Sequence, residues 1–146
     1  MRARRIAVID YGTGNLKSVV KAFEYLGANV SLTRKPEDVG EIDAIVFPGQ
    51  GSYDQCMNCL MQSGLDHLVK KWVQKDRPFF GICLGLQVLF ESSEEGKLPG
   101  LGLFQGHVRR FVLPPELKIP HMGWNDVYWN LPEDHWICKN LEEPSQ

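Results

Sequence analysis

The segment Phe79–Gln87, with the sequence FFGICLGLQ, is typical of a buried strand that passes into a helix through a tight turn. The tip of this turn is Cys83, with Gly81 and Gly85 two residues to either side. Such a turn brings the flanking backbones close to its tip, so only small residues fit there. We therefore predict that Cys83 is a nucleophile, the alternative being a buried structural cysteine. A helix over 84–91 would aim free N–H groups at the sulfur, which favours the thiolate.

The chain before this turn alternates between strand and helix patterns. Runs rich in β-branched or aromatic residues predict four strands, at 5–10, 30–33, 43–47 and 77–82. Apolar residues at helical spacing predict helices over 16–26 and 60–73, the second broken near Gly64, and a short helical turn at 36–39. Strands and helices interleaved so closely imply right-handed crossovers. The predicted fold class is α/β, a doubly wound and mostly parallel sheet with flanking helices.

The last third of the chain has a different pattern. After Gly96, short runs between glycines look extended at 106–113 and 126–129, and no long helix follows. We expect this section to be antiparallel or irregular, and incomplete, because nothing after Trp136 would cover the tryptophans there. Residues 1–146 are predicted to form one domain, with no second domain.

Composition and charge exclude several classes of partner. The 146 residues are 43% hydrophobic and carry 16 Lys and Arg against 18 Asp and Glu, for a net charge of −2. We therefore expect no basic footprint for nucleic acid or for an anionic membrane. No apolar run approaches the roughly 18 residues that would span a bilayer, and no signal-peptide pattern follows Met1. We predict a cytoplasmic protein with neither nucleic-acid nor membrane partners.

Two further motifs argue against metal and cofactor binding. Cys56 and Cys59 have C-x-x-C spacing, but no second pair completes four zinc ligands. The turn at 11–15, YGTGN, lacks the third glycine of a dinucleotide fingerprint, because Lys17 stands in its place. We predict no metal site and no cofactor.

Acyl chemistry at Cys83 needs hydrogen-bond donors for a developing oxyanion. The backbone N–H of Leu84, directly after the nucleophile, is the natural first donor. A second donor is expected from the loop Gly49, Gln50 and Gly51, because it follows the third strand at the sheet edge where α/β proteins place their sites. Without Cys83, the same loop would be interpreted as a plain βα turn.

A second loop, at 120–125, combines proline, glycine and an aromatic residue with polar neighbours. Its residues are Pro120, His121, Met122, Gly123, Trp124 and Asn125. A compact loop of this kind offers a rigid aromatic anchor, which suits a docking surface. The alternative is a local turn that buries its own tryptophan.

These motifs together make the chain similar to a known family. The segments IDYGTGNL at 9–16, PGQG at 48–51, GICLGLQ at 81–87 and PHMGWN at 120–125 resemble class I, triad-type glutamine amidotransferases. Within that class they resemble the glutaminase subunits of imidazole glycerol phosphate synthase, which implies an amidotransferase fold with a flavodoxin-like core. The resemblance covers essentially all 146 residues.

The resemblance implies a function and roles for named residues. Cys83 would attack L-glutamine, Leu84 and Gly51 would donate to the oxyanion, and Gln87 would help to hold the substrate. The segment 120–125 would face a (βα)8 cyclase subunit in a heterodimer. That subunit would use the ammonia to make imidazole glycerol phosphate and aminoimidazole carboxamide ribotide in histidine biosynthesis. We expect little glutaminase activity until the cyclase docks, because the loop at 49–51 is glycine-rich.

The chain departs from the family in three ways. Gln50 replaces a small apolar residue and Leu86 replaces a methionine, and both changes are tolerable because the loop acts through its backbone and Leu for Met is conservative. The family's triad His and Glu lie further downstream, so the resemblance implies that residues 1–146 are an N-terminal portion. Two alternatives remain: a paralogous amidotransferase supplying ammonia for surface-polysaccharide sugar modification, and a non-catalytic module that binds the partner.

Overall fold

The central sheet has four parallel strands, and the sequence predicted all four. The computed structural model describes residues 2–12, 15–114, 116–117, 119, 123–126, 128, 130–132 and 135. The strands are β1 (Arg5–Ile9), β2 (Asn29–Thr33), β3 (Ala44–Gly49) and β4 (Phe79–Cys83). Their β-branched and aromatic residues suit a pleated, buried surface, and the side chains of Ala7, Val8 and Ile45 are fully buried.

Helices connect these strands, but the helical run predicted at 60–73 begins earlier in the structure, at Tyr53. They are α1 (Leu16–Tyr25), α2 (Tyr53–Ser63), α3 (Leu65–Gln74) and α4 (Leu84–Gln87), and a 3-10 turn covers Pro36–Asp38. The break between α2 and α3 lies at Gly64, whose φ of 73° is a left-handed conformation that glycine adopts without strain. The break predicted near this residue is confirmed.

The strand order is β2-β1-β3-β4. The chain adds β2 on one side of β1 and then β3 and β4 on the other side, so the order of strand addition reverses between β1 and β3. In open α/β sheets, ligands bind beyond the carboxyl ends of the strands at such a reversal. Ile6 pairs with Ala44 across β1 and β3, and Phe47 pairs with Gly81 across β3 and β4. The residues that follow β1, β3 and β4 therefore emerge together at one edge.

The hydrophobic core lies on both faces of the sheet. The larger cluster packs α2 and α3 against the sheet, with Phe47, Tyr53, Leu60 and Val69 fully buried. The smaller cluster packs α1 against Ile6, Val8 and Val46 on the other side. Helices on both faces of a parallel sheet make the fold doubly wound, and the predicted α/β class is confirmed.

The helix predicted at 84–91 is wrong in length, because α4 ends at Gln87. The backbone carbonyls that would continue it are used elsewhere. Val88 accepts a hydrogen bond from the N–H of Leu101, and Leu89 accepts from the N–H groups of Leu103 and Phe104. The chain that returns at 101–104 therefore takes the carbonyls that later turns of α4 would have needed.

The extended runs predicted in the last third are only partly present. Two short strands, β5 (Ser92–Ser93) and β6 (His107–Val108), pair with each other in parallel. The expectation of antiparallel pairing is therefore wrong for this pair. In the run predicted at 126–129, Asp126 and Tyr128 are not in a strand, and residues 127 and 129 lie outside the described residues.

The chain divides into two compact units, residues 1–110 and residues 111–146. The first unit contains all the helices and strands given above. In the second unit, the N–H of Leu117 donates to the carbonyl of Pro114 in a turn. Among the residues that the structure describes, no helix has the length and apolar character needed to cross a membrane.

Candidate active site

Cys83 stands at the tip of the turn between β4 and α4, as its flanking glycines predicted. Its backbone has a φ of 55° and a ψ of −116°, a conformation rare for any residue with a Cβ. Such strain costs about 1–3 kcal/mol and is found mostly at functional sites. The side chain is exposed and its thiol is free, so the alternative of a buried structural cysteine is wrong.

The glycines on either side of Cys83 are required by direct backbone packing. A Cβ on Gly81 would lie 2.7 Å from the carbonyl carbon of Gly85, and a Cβ on Gly85 would lie 2.8 Å from that of Phe47. Phe47 is fully buried in β3, so its backbone has no room to move. The turn can be this tight only because both neighbours lack side chains.

The loop at 49–51 lies directly beside the cysteine. Gly49 is the register partner of Cys83 across β3 and β4. A Cβ on Gly49 would lie 2.6 Å from the backbone nitrogen of Gly85, so the start of α4 packs against the end of β3. Gly51 has a φ of 90°, which turns the chain away after the strand. Gly49 and Leu84 are buried, whereas Gln50 and Gly51 are exposed.

Tyr11 holds this loop from the opposite side of β3, a contact that the sequence did not reveal. Its hydroxyl accepts a hydrogen bond from the N–H of Gln50 at 2.6 Å and donates to the carbonyl of Gln50 at 2.6 Å. Its ring is buried and packs edge-on against Phe47, with the ring centroids 5.7 Å apart. The tyrosine stood inside a glycine-containing turn, so its pattern gave no sign of this role.

Gln87 is half-buried at the end of α4 and is bonded within the protein. Its side-chain carbonyl oxygen accepts a hydrogen bond from the hydroxyl of Ser93 at 3.0 Å. Ser93 is itself buried and accepts from the N–H of Glu95. This contact leaves the two donors of the Gln87 amide as the groups that could hold a substrate.

The predicted docking loop at 120–125 is only partly described. Pro120, His121 and Met122 lie outside the described residues. Gly123, Trp124 and Asn125 are described, and the indole of Trp124 is fully exposed. The alternative reading, in which the loop buries its own tryptophan, does not fit that exposure.

The two histidines that the structure describes in the first unit are engaged with neighbouring side chains. His67 is 2.8 Å from a carboxylate oxygen of Asp66, and His107 is 2.8 Å from the hydroxyl of Ser92. Across the described residues, no group of three or more His, Cys, Asp or Glu side chains could hold a metal ion.

Cys56 differs sharply from Cys83 in chemistry. Both Cys56 and Cys59 lie on α2, and the first is fully buried. Burial raises the pKa of the Cys56 thiol to about 12, with a smaller opposing effect from a hydrogen bond with Tyr11. At pH 8 the Cys56 thiol is therefore protonated and is a poor nucleophile.

This contrast predicts the order in which the thiols react. With iodoacetamide at pH 8, we expect Cys83 to be alkylated first and Cys56 last, because Cys83 is exposed and Cys56 is buried and protonated. Peptide mapping by mass spectrometry at successive times measures both rates. Denatured protein is the control, in which the two sites should react alike. Equal rates in the folded protein would contradict the burial of Cys56.

Comparison with known proteins assigns the family. The family described as glutamine amidotransferase class-I matches residues 7–137. The imidazole glycerol phosphate synthase subunit HisH of Synechococcus sp. (strain JA-3-3Ab) is 44% identical, over 94% of this chain and 68% of that protein. The subunit of the same name from Acinetobacter baylyi is 46% identical, over 97% of this chain and 69% of that protein. The chain thus spans about two thirds of the length of these relatives.

A solved structure gives independent support for the fold. The crystal structure of a glutamine amidotransferase superposes with a TM-score of 0.62 at 24% identity, over 72% of this chain and 56% of that chain. At this level of identity the likeness concerns the fold alone. Taken with the sequence matches, it shows that the chain belongs to the class-I glutamine amidotransferase family and, within it, to the HisH subunits of imidazole glycerol phosphate synthase.

Proposed function

We propose that this chain hydrolyses L-glutamine to glutamate and ammonia through a thioester on Cys83. The observation that carries the proposal is the strained, exposed position of Cys83 at the end of β4, in register with Gly49 of the neighbouring loop. A nucleophile beside a glycine-rich loop and a helix start is the arrangement that acyl transfer requires. The match to the glutamine amidotransferase class-I family supports the choice of glutamine as the substrate.

The reaction divides into two steps at the cysteine sulfur. The Cys83 thiolate forms a C–S bond with the side-chain amide carbon of glutamine, and the amide oxygen becomes an oxyanion. We assign the backbone N–H groups of Leu84 and Gly51 as its donors, and the amide of Gln87 as a substrate contact. Breaking the C–N bond releases ammonia, and water then cleaves the thioester to give glutamate and the free thiol.

Proton transfer to the departing ammonia needs a general acid. The resemblance to the family implies that a triad histidine supplies this acid. His67 and His107 are already bonded to Asp66 and Ser92, so neither is assigned to this step.

The HisH relatives are named as subunits of imidazole glycerol phosphate synthase. In line with the resemblance of the sequence motifs to that enzyme's glutaminase subunits, the ammonia would pass to its (βα)8 cyclase subunit. That partner would form imidazole glycerol phosphate and aminoimidazole carboxamide ribotide in histidine biosynthesis. We propose that the segment 120–125 contacts the cyclase, with the exposed Trp124 as its aromatic anchor. A cytoplasmic location is part of the same proposal.

The test measures ammonia released from glutamine by the whole gene product that contains residues 1–146. The protein is assayed alone and with the cyclase subunit, and imidazole glycerol phosphate is measured in parallel. We expect release to be at least about tenfold faster in the complex, because docking would favour the competent state of the glycine-rich loop. Ammonium chloride in place of glutamine is the control, since it should support the cyclase without any glutaminase.

Each alternative outcome has a distinct meaning. Ammonia release that never supports the cyclase would replace the histidine pathway with another ammonia-consuming synthase, such as one for polysaccharide sugars. Tight binding to the cyclase without hydrolysis would leave only a partner-binding module. Rapid hydrolysis by the uncomplexed protein would contradict control by docking.

A further inference from the structure

We infer that Ser93 is a positioning residue for the substrate, which acts through Gln87 by holding its side-chain amide in one orientation. The inference rests on the proposed function, in which Gln87 contacts glutamine. It deepens that proposal by naming a residue outside the β4–α4 turn that sets how tightly glutamine is bound.

The first step concerns the distance of Gln87 from the nucleophile. Gln87 is the last residue of α4 and follows Cys83 by four positions. Residues four apart in a helix lie on the same side, about 6 Å apart along its axis. Cys83 would attack the amide carbon at one end of glutamine, so a group one turn away can reach the other end. A contact there is equally present before and during formation of the C–S bond, so it contributes to binding more than to kcat.

The second step concerns the Ser93 hydroxyl, which both accepts and donates a hydrogen bond. It accepts from the N–H of Glu95 at 3.2 Å and donates to the side-chain carbonyl oxygen of Gln87 at 3.0 Å. Ser93 is only 3% exposed, and the proton of a buried hydroxyl needs an acceptor. Turning the Gln87 amide over would replace that acceptor with an NH2 group, which can only donate. The contact therefore favours one orientation of the amide.

The third step concerns the backbone that carries Ser93, which is bonded on both sides. Ser93 pairs with Val108 in the sheet of β5 and β6. A few residues further on, one carboxylate oxygen of Asp54 in α2 accepts from the N–H groups of Lys97 and Leu98, at 2.8 and 2.9 Å. A contact group held by such a backbone loses little further freedom when a ligand binds. The Gln87 amide is therefore in place before glutamine arrives.

The test measures glutamine binding by calorimetry, with the whole protein bound to its cyclase subunit. A Cys83→Ala background prevents turnover during the titration. We expect Ser93→Ala to raise the Kd for glutamine by about 5-fold to 10-fold, because one hydrogen bond that orders a contact group is lost. The matched control is Ser92→Ala, since the neighbouring Ser92 hydroxyl bonds to His107 instead. Its Kd should stay within about twofold of the original.

A double-mutant cycle shows whether Ser93 acts through Gln87. With Gln87→Ala already present, adding Ser93→Ala should change the Kd by less than about twofold, because no amide remains to be oriented. An equal effect of Ser93→Ala with and without the Gln87 amide would overturn the inference. A general disturbance of the fold would weaken binding in both backgrounds.

The outcomes separate this inference from the proposed function. In protein that retains Cys83, Ser93→Ala should raise the KM for glutamine and leave kcat within about twofold. Unchanged binding in Ser93→Ala would overturn the positioning role and leave the proposed hydrolysis intact. Binding that depends on Ser93 in a protein that releases no ammonia would support the role and end the proposed hydrolysis. A complex that binds no glutamine would contradict both.

Discussion

Replacing Cys83 with alanine is expected to abolish glutamine hydrolysis while the protein remains folded. Without the sulfur no thioester can form, and removal of a catalytic nucleophile costs at least about 10⁴-fold in kcat. Alanine keeps the same Cβ, so the strained backbone of the turn is not altered. Because the thiol is exposed, we expect the free energy of unfolding to change by less than about 0.5 kcal/mol. Ammonia release and urea unfolding measure the two effects separately.

The matched control for this variant is Cys59→Ala. Cys59 lies half-buried on α2, and its thiol is also free. We expect its turnover of glutamine to match that of the original protein. Ammonia release that survives in Cys83→Ala would remove this residue from the mechanism, and an equal loss in both variants would point to a general effect of losing a thiol.

The second large effect is expected from Gly85→Ala, and it should appear in stability. The new methyl group would lie 2.8 Å from the carbonyl carbon of Phe47 and closer still to its oxygen. Phe47 is fully buried in the middle of the sheet, so relief requires β3 and α4 to separate. Overpacking against an immobile backbone should lower the free energy of unfolding by about 3 kcal/mol. A urea titration followed by circular dichroism gives this value.

Gly40→Ala is the matched control for the packing argument. A Cβ on Gly40 would meet no atom within 4 Å, and its φ lies outside the left-handed region. The same substitution there should leave stability unchanged or raise it by up to about 1 kcal/mol, because alanine restricts the unfolded chain. Equal stabilities for the two variants would show that the contact between Gly85 and Phe47 is not as tight as described.

Much of the fold was predictable because its signals are local. The strand expected at 5–10 is β1 at Arg5–Ile9, since a β-branched run needs only its own residues to suit a buried strand. The break at Gly64 was predictable for a similar reason, because a left-handed residue between two helices favours glycine. Cys83 was found because its turn imposes a short-range requirement on Gly81 and Gly85.

The features that escaped prediction depend on contacts between distant residues. The length of α4 is set by N–H groups at 101–104, which take its carbonyls from more than ten residues downstream. Tyr11 bonds to a residue 39 positions away in the sequence. Ser93, the partner of Gln87, likewise had no motif around it. Neither periodicity nor spacing within a segment carries information on such pairs.

The register between Gly49 and Cys83 constrains which changes in chain length the protein can accept. Residues 50–78 connect the two strands through α2 and α3. An insertion in a loop of this connection would lengthen it without changing the register of the strands. A slip of β4 by a single position is different, because it would place Cys83 beside another residue and turn every side chain of the strand to the opposite face. The strands could still form hydrogen bonds with each other, but Cys83 would no longer lie beside the loop at 49–51. The register between β3 and β4 therefore limits which insertions and deletions this site tolerates, more than the identity of any single residue near Cys83 does.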